Sequence, residues 1–260
     1  MIVAFASSKG GVAKTTSCVN LAGALAQNKP KNYSVLIIDF DAQGGATHHL
    51  SSKFGGKFKS SLTDILNGKC EPRFAIHNYQ NHLDLIPISY SFSEYSTKDF
   101  SKELHKLIEA VRDSYDFIFF DLSPAIFPGS TIPLSLADTC IIPVYTKGGL
   151  SLLGLQSQGQ IIVDIQKKNP RLDILGILAT FVDRTKISKE MVEYLKKDCS
   201  KEFFSTVIRE NTSVSQASSL GKLIFEHAPQ SNGAKDYSAF AKEFLKRVQE
   251  RNAALKKGEK

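Results

Sequence analysis

With 260 residues, 42% of them hydrophobic, the chain is long enough to bury the core of one large α/β domain, and its short aliphatic runs exclude a membrane-spanning helix of about 20 apolar residues. Its formal net charge of +7 favours a polyanionic partner without requiring one. Cys18, Cys70, Cys140 and Cys199 are scattered without a Cys-x-x-Cys pair, which argues against a metal-cluster carrier and a disulfide framework and points to a reducing compartment.

The apolar run Ile2–Ala6 is expected to form a strand at once, leaving no room for a signal peptide, so the expected location is the cytoplasm. It feeds Lys9-Gly10-Gly11-Val12-Ala13-Lys14-Thr15-Thr16 and a helical stretch over 15–28. Small residues let backbone N–H groups turn inward around a phosphate, and the helix presents its positive end to the same charge. Lys14 is then placed to reach the β- and γ-phosphates, and the Thr15 hydroxyl to meet Mg²⁺. The general phosphate-loop pattern has Gly at positions 8 and 13, where this chain has Ser8 and Ala13. If position 13 needs positive φ, its Cβ costs about 1 kcal/mol or more, enough to alter loop geometry or slow hydrolysis.

A second strand, Ser34–Asp39, runs into Asp39-Phe40-Asp41-Ala42-Gln43-Gly44. Strand alternation sets Asp39 and Asp41 on one side at the carboxyl end of the sheet, where open α/β sheets hold ligands. Two carboxylates there suit the water shell of Mg²⁺ and the orientation of an attacking water. Segment 44–70, rich in Gly, Ser, His and Lys, is expected to be the least regular part, with Gly55-Gly56 marking a mobile loop. His48 and His49 would diverge by about 100° on a helix, which argues against joint metal ligation and makes both surface residues.

Further strands are expected over Leu83–Ile88 and Phe117–Asp121, with a helix near 100–113 between them. Tyr115 to Pro124 ends an apolar strand on Asp121, the Walker B arrangement, in which the carboxylate meets Mg²⁺ through water. Strands Thr139–Val144, Ile174–Phe181 and Phe204–Ile208, with helices near 151–168, 187–198 and 234–252, complete the alternation. The expected fold is a mostly parallel twisted α/β sheet with helices on both faces, one domain over 1–260 with a polar basic tail at 249–260. Cys140 sits inside an apolar run and reads as a buried thiol. Lys147-Gly148-Gly149-Leu150 reads as a mobile switch or an ordinary surface loop. From Lys235 to Lys260 there are eight Lys/Arg against four Asp/Glu, yet Tyr237, Phe240, Phe244, Leu245 and Val248 keep one apolar face.

The loop resembles the deviant Walker A loop of the ParA/MinD family, Lys-Gly-Gly-x-Gly-Lys-Thr-Thr. Asp39 to Gly44 is similar to its Asp-x-Asp-Pro-Gln-Gly, with Ala42 for proline. Asp121-Leu122-Ser123-Pro124 stands where the family usually has Asp-Thr-Pro-Pro. Asn211 to Ala217 with Gly221-Lys222, and Ser231 to Tyr237, resemble its late segments, so the likeness covers nearly the whole chain. The resemblance implies a P-loop ATPase that uses ATP and Mg²⁺, turns over slowly and forms an ATP-dependent homodimer. In that dimer Lys9 crosses to the partner subunit's nucleotide. It implies that Lys9, Lys14 and Asp41 serve catalysis, with Asp41 positioning the water. Lys9 through Thr16 with Arg209 and Asn211 would bind ATP, and Thr15, Asp39 and Asp121 would hold the metal.

ParA-type relatives bind double-stranded DNA non-specifically, and a ParB-like or other adaptor protein stimulates hydrolysis. They segregate a plasmid or chromosome region or position a protein cargo, on the nucleoid. Arg184, Lys186, Lys189, Arg209, Lys222, Lys246, Arg247 and Arg251 are the candidate DNA contacts, through phosphates. The position that is often Arg in that motif is Ser213 here. The alternative is a MinD-like membrane-surface positioning ATPase. That branch needs a bulky apolar face on its last helix, whereas this chain offers only Ala253, Ala254 and Leu255 after Val248. Cluster-bearing reductases of the nitrogenase type need paired cysteines that this chain lacks.

Overall fold

The computed structural model describes residues 1–89, 98–124, 128–148 and 150–258. Seven strands form its sheet: β1 Ile2–Phe5, β2 Val35–Phe40, β3 His77–Gln80, β4 Leu83–Ile86, β5 Phe117–Leu122, β6 Thr139–Tyr145 and β7 Asp173–Thr180. The spatial order is β3-β4-β2-β5-β1-β6-β7, and every pairing is parallel except β3 with β4. Alternate residues of the central strands enter opposite hydrophobic clusters. Ile2, Ala4, Leu36, Ile38, Ile118 and Phe120 face one side, and Val3, Phe5, Val35, Ile37, Phe117 and Phe119 the other. Burial on both faces accounts for the unbroken apolar runs in the sequence.

Helices close both faces. Their ranges are α1 Lys14–Ala26, α2 Gly45–His49, α3 Leu62–Leu66, α4 Pro72–Ala75, α5 Ser101–Val111 and α6 Pro128–Leu136. The remainder are α7 Leu150–Gln166, α8 Lys186–Asp198, α9 Thr212–Ser219, α10 Ile224–His227 and α11 Asn232–Lys257. Leu62, Leu104, Ile162 and Met191 carry α3, α5, α7 and α8 onto the first face. Val19, Ala217, Ile224 and Phe240 carry α1, α9, α10 and α11 onto the second. Phe244 of α11 is fully buried, its ring meeting Phe117 edge-on at 5.2 Å and Phe119 at 5.9 Å. Burying one such ring contributes about 2–3 kcal/mol, which explains why a helix with so basic an outer face stays docked.

Several expectations change. Phe204–Ile208 is not a ladder strand. It follows β7 through single bridges at Ile177–Phe203 and Val182–Arg209, because the Glu243 carboxylate accepts the Ser205 and Thr206 N–H groups, each at 2.7 Å. Phe204 lies across Gly176, where any Cβ would stand 2.2 Å from the ring. The antiparallel edge strand β3 escapes sequence reading because His77-Asn78-Tyr79-Gln80 is polar and short. Segment 44–70 is more regular than expected, with α2, a 3₁₀ turn at Ser51–Phe54 and α3 in it, and Gly55 and Gly56 both at positive φ beyond that turn. His49 is not a surface residue: it is 2% exposed and its Nε2 donates to the Lys222 carbonyl at 3.1 Å, while His48 is exposed. Residues 249–257 are no separate tail but the last turns of α11. Cys140 is fully buried, as expected. Gly149 of the Lys147–Leu150 segment lies outside the described residues; Lys147 is ion-paired to Asp183 at 3.0 Å and Glu210 at 2.5 Å.

Candidate active site

The centre of the sheet sets the site. β1 lies between β5 and β6, and the carboxyl ends of β1, β2 and β5 meet under the loop that joins β1 to α1. Gly11 adopts φ 72°, and ideal Cβ positions at Gly10 and Gly11 meet nothing within 4 Å, so the loop's upper side is open. Two side chains fix its underside. The Thr180 hydroxyl donates to the Val12 carbonyl at 3.1 Å, and the Ser8 hydroxyl donates to the Gly154 carbonyl in α7 at 2.9 Å. Ser8, where the general pattern has glycine, therefore ties the loop to its neighbouring helix.

Ala13 sits at φ 60°, ψ 32°, in the left-handed region, and caps α1, whose first turn begins with the Ser17 N–H donating to the Ala13 carbonyl at 2.9 Å. The suspected strain is therefore present. Ala13→Gly is expected to stabilise the nucleotide-free protein by about 1 kcal/mol, raise Tm by about 2 °C and speed hydrolysis. Unchanged melting and turnover would show that the loop accommodates the methyl group without cost.

Lys14, 7% exposed, reaches Asp121 Oδ1 at 3.5 Å and Asp41 Oδ2 at 4.0 Å. Thr15 Oγ1 donates to Asp121 Oδ2 at 2.7 Å. Gly45 at the start of α2 leaves room for this hydroxyl, since a Cβ there would stand 2.8 Å from it. Asp39 and Asp121 are register partners on β2 and β5. Asp39 has a second duty that the sequence did not show. Its carboxylate accepts the Asp41 N–H at 3.0 Å, and the Thr47 N–H and hydroxyl at 2.8 Å each, and so fixes the turn that carries Asp41.

Burial raises Asp121, against the lowering influence of Lys14 and Thr15. Burial, then the neighbouring Asp121 charge, pushes Asp39 up to about 7. The site thus has more buried carboxylate than its one lysine compensates, and a divalent cation suits that excess. With a folded-state pKa above the unfolded value near 4, Asp39 favours the fold at low pH and loses that contribution as pH rises from about 4 to 7. A cation favours the ionised form, so its binding strengthens as pH rises and is accompanied by proton release. Calorimetric titration with the magnesium–ADP complex in buffers of different ionisation enthalpy reads this release, and identical heats in all buffers would contradict it.

The loop opens into a cleft of about 300 Å³ lined by Lys9 to Gly11, Ala13 to Thr16, Asp41, Pro124 and Phe181. Beside it lies a pocket of about 50 Å³ formed by Ala13, Thr16, Phe181, Arg209, Asn211 and Tyr237, among others. Arg209 and Asn211 thus line a pocket that adjoins the cleft of the phosphate loop. Arg209 is held by a two-pronged pair with Asp236, with Nη2–Oδ1 at 2.6 Å, and Asn211 caps α9 by accepting the Ser213 N–H at 2.9 Å. Phe181 and Tyr237 were missed as pocket residues. Position at the carboxyl end of a strand was the signal for Phe181; Tyr237 gave none beyond its helical spacing.

The basic residues do not share one surface. Arg184, Lys186, Lys189 and Lys222 are exposed, the first three just beyond the carboxyl end of β7. Arg247 donates to the Leu175, Glu202 and Phe203 carbonyls, and Arg251 pairs with Asp173 at 2.7 Å and donates to the Asp138 carbonyl at 2.7 Å. Asp173 opens β7, so these two arginines lie at the opposite end of the strand, roughly 23 Å away. Lys246 is exposed and lies 3.8 Å from Glu250.

Strand, loop, helix and the three carboxylates define a P-loop nucleotide-binding domain. Residues 1–174 match a family described as an AAA domain. Over 254 residues the chain is 32% identical to the chromosome-partitioning ATPase Soj of Thermus thermophilus, covering 95% of this chain and 96% of that protein. A putative plasmid partition protein from Borrelia burgdorferi, solved with bound AMPPNP, is 25% identical with a TM-score of 0.79, covering 95% and 98% of the two chains. Cobyrinic acid a,c-diamide synthase from Mycobacterium smegmatis, solved with an ATP analogue and magnesium, shares the fold at a TM-score of 0.76 and 24% identity, over 95% of each chain. The chain belongs to the ParA/MinD family of P-loop ATPases.

Proposed function

We propose that this ATPase is an ATP-gated positioning switch that uses Mg²⁺. In this reading ATP closes a homodimer, the dimer holds double-stranded DNA without sequence preference, and an adaptor protein of the ParB kind stimulates slow hydrolysis and release. The cargo is a plasmid, a chromosome region or a protein assembly on the nucleoid. The observation that carries the reading is the division of labour between the two loop lysines. Lys14 is turned in toward Asp121 and Asp41, while the Lys9 ammonium stands over the Tyr145 ring, 5.2 Å from its centroid. In this reading Lys14 serves the subunit's own phosphate site, and Lys9, at the rim and outside the Asp121–Asp41 cluster, is the lysine that would act on a neighbour's nucleotide once released from Tyr145.

Mg²⁺ supplies charge neutralisation at the β- and γ-phosphates. The protein's own groups do the rest. Thr15 and Asp121 would hold the cation with its water, Asp39 fixes the turn, and Asp41 would orient the attacking water. The loop N–H groups and Lys14 would bind the phosphates. Among the candidates Arg184, Lys186, Lys189, Lys222 and Lys246 are exposed, and a DNA surface is proposed through the first four rather than through α11, where Arg247 and Arg251 are engaged by the fold.

The membrane alternative finds little support, since α11 exposes only Leu255 as a large apolar residue in its final turns. Among the described residues no helix is long and apolar enough to cross a membrane. Sedimentation of the protein with ATP·Mg²⁺ and with ADP·Mg²⁺ tests the switch. A doubling of mass with ATP alone is expected, and one mass in both states would overturn it.

A further inference from the structure

Lys9, Tyr145 and Phe181 form a continuous line from the loop rim to the adjoining pocket. Lys9 is half-buried, and its ammonium lies within the range at which an aromatic face attracts a cation. Glycines make room for the stem. A Cβ at Gly154 would stand 3.5 Å from Lys9 Cβ, and one at Gly148 would stand 3.7 Å from Lys9 Nζ. Tyr145 is the last residue of β6, and its ring meets Phe181 edge-on, with centroids 5.2 Å apart and planes at 67°.

Phe181 is the unusual member. Its φ is 55°, a value that a bulky side chain rarely adopts. The surroundings impose it: the Phe181 carbonyl accepts the Thr146 hydroxyl at 3.2 Å, and the adjoining Thr180 holds the Val12 carbonyl of the loop. The conformation turns the ring to the boundary between cleft and adjoining pocket, both of which it lines. Backbone strain held in place by neighbours is a mark of functional junctions.

We propose that Tyr145 is a positioning residue that parks Lys9 on its own subunit, and that Phe181 couples this parking to nucleotide in the adjoining cleft. A nucleotide entering the cleft meets Phe181, moves the surface on which Tyr145 packs, and loosens the hold on Lys9. The consequence for dimer assembly rests on the reading of Lys9 as a residue that acts on the partner's nucleotide.

Brief acetylation of the nucleotide-free protein, read by peptide mass spectrometry, tests the parking. Exposed Lys186 is the reference, and buried Lys14 is the check on folding. In Tyr145→Leu the labelling of Lys9 relative to Lys186 is expected to rise about fivefold. Tyr145→Phe, which keeps the ring, stays within about twofold of wild type. Phe181→Leu, which removes the edge contact, raises labelling about twofold to threefold. Tyr145→Met gives the same reading if the leucine variant fails to fold. Unchanged Lys9 labelling in Tyr145→Leu or Tyr145→Met would overturn the parking, and wild-type Lys9 labelling that does not rise when ADP·Mg²⁺ is added, or unchanged labelling in Phe181→Leu, would overturn the coupling. Sedimentation with ATP·Mg²⁺ separates the two layers. A released Lys9 on each of the two subunits lowers the protein concentration for half-dimerisation by the square of the per-lysine factor, up to about 25-fold in Tyr145→Leu. Raised labelling with an unmoved dimerisation midpoint would support the parking and overturn the trans role of Lys9.

Discussion

Lys14→Ala is expected to abolish nucleotide binding at micromolar concentrations. The lysine makes charge-assisted contacts to phosphate, worth about 1.5–3 kcal/mol on their own. It is also the cation that faces Asp121 at 3.5 Å and Asp41 at 4.0 Å. Without it, those carboxylates confront the phosphates across a cleft with no compensating charge from α1. The two effects together come to about 4 kcal/mol, roughly a thousandfold in affinity. The same loss leaves buried carboxylates unpaired, so the variant is also expected to melt lower than wild type. Titration with a fluorescent ATP analogue reads the affinity, and retained tight binding would mean that the loop is not the phosphate site.

Lys9→Ala separates the two lysines. ATP affinity is expected to stay within about threefold of wild type, because Lys9 does not share the Asp121–Asp41 cluster with Lys14. Hydrolysis measured at protein concentrations that saturate assembly should fall a hundredfold or more, the loss typical when a cation supplied in trans to a transferring phosphoryl group is removed. The effect belongs to the assembled state, so the residual rate should no longer depend on protein concentration. Unchanged turnover would remove the trans role and leave Lys9 as a rim residue packed on Tyr145.

The central strands and the phosphate loop were legible because their signals are local. Continuous, β-branched apolar runs at β1, β2, β5, β6 and β7, and a loop of small residues followed by Lys14-Thr15, need no knowledge of distant contacts. Ala13 was legible as a strain site, and its φ of 60° bears that out. What stayed hidden depends on partners far away in sequence. His49 is buried because the Lys222 carbonyl, 173 residues on, receives its Nε2–H. Phe204–Ile208 has the composition of a strand, but Glu243 of α11 takes two of its N–H groups. Arg247 and Arg251 look like free charges on a basic helix, and the carbonyl ends at Leu175, Glu202, Phe203 and Asp138 absorb them. Tyr145 and Phe181 carry no motif at all; only their meeting at the carboxyl ends of β6 and β7 shows what they adjoin.

The measurement that bears most directly on the ATP-gated switch is binding of the wild-type protein to a random-sequence DNA duplex, with ATP·Mg²⁺ and with ADP·Mg²⁺, across a salt series, alongside anionic vesicles. Binding to the duplex with ATP alone is the expected result. It should be lost as salt rises, with each neutralised phosphate adding about −0.9 to the log–log slope. Equal binding in both nucleotide states, or binding to vesicles and not to DNA, would contradict it.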